Sequence, residues 1–225
     1  MSSFSIKTQN NSDIRIVISI LVFYFFFCFP LAQAYLKNYK FLYNYWSLFF
    51  CIAALMTLFS TGRLSLSKIG VSRFHWKQIN LGLFIGLLPI TGVICLDAII
   101  VKTGMADNNL FIGAELRKHE VFSNTDLLLE GFLSPIISQL FITGYVLNGL
   151  VKNNAVAIPV NGVLYSAITL NFGIGFLALG IISASLVRFT GYLIPAVLFS
   201  LGCALAKFLI LTTYPRLTTM LVFLN

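Results

Sequence analysis

The stretch "SPIISQLFITGY", residues 134–145, is apolar enough to lie in a lipid bilayer and yet carries Ser134, Ser138, Gln139 and Thr143. On a helix, residues four apart share a face. Gln139 and Thr143 therefore look the same way with Ser138 beside them, and Gly144 lets a neighbouring helix approach closely. Pro135 sits one turn earlier and removes a backbone donor. The pattern predicts a polar ridge turned toward the interior of a helical bundle.

Composition sets the surroundings of that ridge. Hydrophobic residues make up 58% of the chain and charged residues 10%, and the mean hydropathy is +0.91, far from the balance of a soluble domain. One crossing takes about 20 residues. The 225 residues thus hold about six to eight passes, seven preferred, within one integral membrane domain covering residues 1–225. Backbone polar groups must be paired inside the bilayer, and the apolar runs are too continuous for alternating barrel strands. The expected fold is an all-α, polytopic transmembrane helical bundle. Cys28, Cys51, Cys95 and Cys203 each lie alone in an apolar run and read as small buried hydrophobes, without disulfide or metal-ligand spacing. The net charge of +8 comes from basic residues that flank the spans, which points to membrane orientation and excludes nucleic acid as the partner.

Outward from the quoted stretch, the spans run from about Ile14 to Tyr35, with Pro30 kinking the far end, then Tyr45 to Thr61, Ile79 to Val101, Leu127 to Val151, Ala155 to Leu170, Gly173 to Val187 and Tyr192 to Thr213. The first apolar run has no small-residue cleavage pattern after it and is expected to be a retained helix. The fifth and sixth spans are short for a full crossing, which implies tilt or a re-entrant pair. The basic, amphipathic segment Gly62 to Gln78 is expected at the membrane surface. The long polar segment Lys102 to Asp126, with Asp107, Glu115, Arg117, Lys118, His119 and Glu120, is the loop large enough to meet a soluble partner. Lys7, Arg15, Arg63, Lys68, Arg73, Lys77, Lys152 and Arg188 on the N-terminal side outnumber Lys37, Lys40, Lys102, Arg117, Lys118 and Arg216 on the other. This bias predicts a cytoplasmic N-terminus.

The wording "SPIISQLFITGYVLNGL" (134–150) resembles the first motif of the CPBP family, the CAAX proteases and bacteriocin-processing enzymes also called Abi, in which Glu-Glu, three residues and Arg precede Gly-Tyr-Leu. In that register Ser138 and Gln139 stand where the glutamates would be, and Thr143 where the arginine would be. "VLYSAITL" (163–170) resembles the second motif, with Tyr165 as its aromatic residue and Thr169 in place of the histidine. "RFTGYLIPAVLFSLGCALA" (188–206) resembles the third region, its histidine and following asparagine positions occupied by Ser200 and Ala204. "LSKIGVSRFHWKQINLGLFIGLL" (66–88) is similar to the family's entry into the helix before its core, so the resemblance covers about residues 66–211. It implies a bacterial inner-membrane location. It also implies peptide hydrolysis within the membrane by water activated on a glutamate, with histidines placing the reacting groups.

Every position that carries that chemistry departs from the pattern. A general base needs a group that takes a proton near neutral pH, which Ser138, Gln139, Thr143, Thr169 and Ser200 cannot do. Hydroxyls and an amide are also poor ligands for a zinc-type ion, so neither a metal nor another cofactor is expected. His75 and His119 fall in loops at opposite faces, and Ser200 and Lys207 are two turns apart, about 10 Å, too far for a nucleophile and its base.

Asp97, Glu130 and Lys207 are ionisable groups within or near spans, where an isolated charge costs about 2.5–3.5 kcal/mol. An ion pair of Lys207 with Asp97 or Glu130 is one expectation, snorkelling of all three the other. The resulting functional expectation is a non-catalytic, CPBP-like binding or scaffold subunit of a membrane complex. Such a subunit would contact membrane lipid and other membrane protein subunits and hold a peptide or lipid ligand in the former cleft. The alternatives are an active peptidase with unorthodox residues such as Glu130 as base, a bacteriocin self-immunity protein, and a small transporter using Asp97 and Lys207. The sequence shows no internal repeat of the kind that transporters favour.

Overall fold

A computed structural model describes residues 11–64, 69–71, 76–104, 124–147, 154–169 and 171–218. Every regular element among the described residues is helical. The principal helices are α1 (Ile14–Leu36), α2 (Trp46–Ser60), α3 (Trp76–Lys102), α4 (Asn124–Val146), α5 (Asn154–Thr169), α6 (Ile174–Thr190) and α7 (Ile194–Thr212). Helices α1, α3, α4 and α7 are long and apolar enough to cross a membrane. The 19 residues of α7 rise about 28 Å, close to the thickness of a hydrocarbon core, whereas the 16 of α5 rise about 24 Å. The fold is an all-helical bundle with the make-up of a membrane protein. Its helices begin and end within a few residues of the apolar runs read from the sequence. His75, His119, most of the segment Lys102 to Asp126 and the expected end of the fourth span at Val151 lie outside the described residues.

Prolines shape two helices. Pro30 in α1 and Pro135 in α4 each sit in a short α-helical piece, Phe29–Leu31 and Ser134–Ser138, with wide π turns on either side. A proline removes a ladder donor and crowds the preceding turn, and the extra residue in a π turn is one way a helix accommodates that.

Glycines decide which helices touch. Gly82 and Gly86 of α3 lie against Pro195, Leu198 and Gly202 of α7, so close that a methyl on Gly202 would overlap the Gly86 carbonyl. Without a hydrophobic force between helices in lipid, such backbone approach supplies the packing energy. Contact points advance in the same direction along both chains, so α3 and α7 run parallel. Helices α5 and α6 form an antiparallel hairpin, where Gly180 meets Asn161 O and Gly162 Cα. Gly191, at φ 74°, ends α6 in the left-handed conformation and donates its N–H to Val187 O at 2.8 Å. The chain then turns at once into α7, and Leu193 N–H reaches Gly70 O at 3.3 Å, pinning the Ile69 segment onto the bundle.

Helices α4 and α7 are the most enclosed of the four long ones, and α1 the least. Phe141, Ile142 and Tyr145 of α4 pack with Ile168, Cys51, Leu58 and Val17 in the largest core cluster. Tyr24 docks α1 by donating its hydroxyl to Ile168 O at 2.7 Å, satisfying a carbonyl in the last turn of α5. The outer faces of α1 and α3 present Phe26, Phe27, Phe84 and Leu87, as lipid-facing helices do.

Candidate functional site: a cleft at the level of the polar ridge

The polar ridge of α4 divides into two environments. Ser138 and Gln139 are adjacent, and adjacent helical residues point about 100° apart, so one face takes Gln139 and Thr143 and the next takes Ser138.

Gln139 and Thr143 are wholly buried. The Thr143 hydroxyl donates to Gln139 Oε1 at 2.7 Å, and Gln139 Nε2 donates to Ser183 Oγ of α6 at 2.9 Å. Asn161 of α5 donates through Nδ2 to Thr143 Oγ1 at 3.1 Å and to Gly180 O at 2.8 Å. This closed network joins α4, α5 and α6. Its members can hold helices together but offer no proton-transfer group near neutral pH.

Ser138 faces the other environment. The Tyr165 hydroxyl lies beside both Ser138 and Ser200, and Tyr165, Thr169 and Ser200 line a cleft of about 510 Å³. Five helices build it: Leu48 from α2, Glu130, Ser134 and Pro135 from α4, Tyr165 and Thr169 from α5, Phe176, Leu179 and Ile182 from α6, and Phe199, Ser200, Cys203 and Lys207 from α7. It opens toward the end of the bundle where α2, α4 and α6 begin, and Ser200 lies on its floor. The Thr169 hydroxyl is occupied by Tyr165 O at 2.7 Å. Ser200 is 2% exposed, its Oγ buried beside the Tyr165 hydroxyl.

At the mouth, Lys207 Nζ lies 3.2 Å from Glu130 Oε2, with both side chains partly open. Asp97, which the sequence offered as an alternative partner for Lys207, pairs instead with Arg216, Nε to Oδ1 at 3.0 Å. That pair is more enclosed, because Ile100, Ile210, Leu217 and Tyr214 gather beside it and tie the turn Pro215–Leu217 to the end of α3. Tyr45 donates to Asp126 at 2.6 Å, closing α2 against the start of α4.

The five family-register positions thus separate: Thr169 and Ser200 reach the cleft, Ser138 borders it through Tyr165, and Gln139 and Thr143 are sealed behind it. Glu130, the base of the alternative peptidase reading, lines the same cleft. Asn161 and Ser183 escaped the sequence reading. The available signal was a polar residue beside a glycine on each of two short apolar helices, at Asn161–Gly162 and near Gly180. Among the described residues, no cluster of His, Cys, Asp and Glu has the make-up of a metal site. No protein-family model, curated protein or solved structure matches the chain.

Proposed function

We propose that the chain is a non-catalytic, CPBP-like integral membrane protein whose seven helices all cross the bilayer, and that it holds a ligand in the cleft without cutting it. One observation carries this reading. The cleft is large enough for a small-molecule or acyl-chain ligand, yet among the described residues its polar lining is hydroxyls and amides, as of Tyr165, Thr169 and Asn171, and its one carboxylate, Glu130, is held by Lys207. A pocket of that kind binds through shape and hydrogen bonds, with no base positioned to activate water. The same molecule serves as a binding or scaffold subunit in the inner membrane of a bacterium. The charge bias puts its N-terminus in the cytoplasm and the cleft mouth at the opposite face.

The test is purification from native membranes in mild detergent, with mass spectrometry of whatever accompanies the protein in stoichiometric amount. The same preparation is made with Ala178→Trp, which fills the cleft wall. A ligand present in the first and missing from the second supports the reading. Identical composition in both, or hydrolysis of a peptide by the unaltered protein, overturns it.

A further inference from the structure

The Glu130–Lys207 pair at the mouth of the cleft has a chemistry of its own. Both side chains are partly open, 36% and 52% exposed. An exposed pair contributes little to stability, so a ligand opens it at small cost. A purely anionic ligand would gain Lys207 and meet Glu130, with Asp126 close behind through Tyr45. A purely cationic one would meet Lys207. A ligand carrying both charges can open the pair and satisfy each half, its anion on Lys207 and its ammonium on Glu130.

Below the mouth the cleft is apolar, walled by Leu48, Phe176, Leu179, Ile182 and Phe199. Ile182 in that wall is 40% exposed. Two turns deeper than Lys207, about 10 Å along α7, the Ser200 hydroxyl lies beneath the floor, 2% exposed and beside the Tyr165 hydroxyl.

We infer that the cleft is a binding site for a zwitterionic phospholipid bearing a primary ammonium, with its phosphate on Lys207, its ammonium on Glu130 and an acyl chain along Leu179 and Phe199. This rests on the proposal that the cleft is a ligand site and adds the identity of the ligand. A peptide, the other class of molecule with both charges, lacks the long apolar tail that the wall of Leu48, Phe176, Leu179 and Phe199 accommodates.

Native mass spectrometry of the full chain in detergent, with added dioleoyl-phosphatidylethanolamine, phosphatidylcholine or phosphatidylglycerol, tests the assignment. The expected result is one retained phosphatidylethanolamine per chain, preferred about tenfold over phosphatidylglycerol. Glu130→Gln should erase that preference by admitting the anionic lipid. Lys207→Met should weaken all three. Ala178→Trp should abolish retention. Equal or tighter binding of phosphatidylglycerol by the unaltered protein overturns the headgroup assignment, while its loss in Ala178→Trp still leaves the cleft a ligand site. Displacement of bound lipid by an extended peptide overturns the lipid assignment in the same way. Retention of no lipid, or retention indifferent to Ala178→Trp, removes both readings.

Discussion

At the scale of single residues, the polar ridge of α4 is two devices set side by side. Thr143 is the hinge of the closed one, because its hydroxyl both donates to Gln139 and accepts from Asn161. Thr143→Val keeps the shape and removes both bonds, leaving Gln139 Oε1 stranded. A hydrogen bond in a membrane bundle averages about 0.6 kcal/mol, and a stranded buried acceptor adds to the loss. The expected destabilisation is therefore about 1–2 kcal/mol, read as a lowered unfolding midpoint in detergent. Ser185→Ala is the control: its hydroxyl only bonds back to Ile181 O on its own helix, and the cost should stay under about 0.5 kcal/mol. Equal effects of the two substitutions would remove the network from the account of stability. The sequence made Gln139 and Thr143 legible because four-residue spacing is a local rule. It did not reveal that Ser138 turns away from them toward Tyr165, nor that Asn161 and Ser183 complete the network, since those partners depend on which helices become neighbours.

At the scale of the helix, the apolar runs were legible almost to their ends, because length and hydropathy are properties of a segment alone. The pairing of α3 with α7 had a signature too, the glycine spacing at Gly82 and Gly86 that permits close approach. What it packs against is visible only in three dimensions. Gly202 faces Gly86 with no room for a side chain, whereas a methyl on Gly92, further along α3, meets nothing within 4 Å. Gly202→Ala must push two backbones apart, and overpacking of this kind costs about 1–3 kcal/mol or more. Gly92→Ala gains from the better helix propensity and should raise stability by about 0.4–1 kcal/mol. Unfolding of both variants in the same detergent checks the contrast. A tolerated Gly202→Ala would mean that α3 and α7 do not cross at this point.

At the scale of the whole molecule, the cleft illustrates what a sequence conceals. Its lining comes from five helices separated by up to 160 residues or so of chain, as Leu48 and Lys207 are, and hydropathy treats Ser200 and Glu130 as scattered blemishes. Their meeting depends on α4 and α7 lying antiparallel, which also brings Glu130 to Lys207. The same geometry makes a strong statement about the CPBP resemblance. Ser138→Glu, Gln139→Glu, Thr143→Arg, Thr169→His and Ser200→His together restore the family pattern on paper. In this bundle Thr169 and Ser200 would present histidines to the cleft, but positions 139 and 143 point into a space that is wholly buried and already filled by Asn161 and Ser183. A carboxylate and a guanidinium forced there face a steep desolvation cost and lie apart from any substrate in the cleft. The expected outcome is no cleavage of a fluorogenic peptide above the background of the unaltered protein, together with an unfolding midpoint well below that of Thr169→His/Ser200→His alone. Peptide cleavage by the fivefold variant would show that α4 can rotate its ridge into the cleft, and the division into a sealed network and an open site would have to be abandoned.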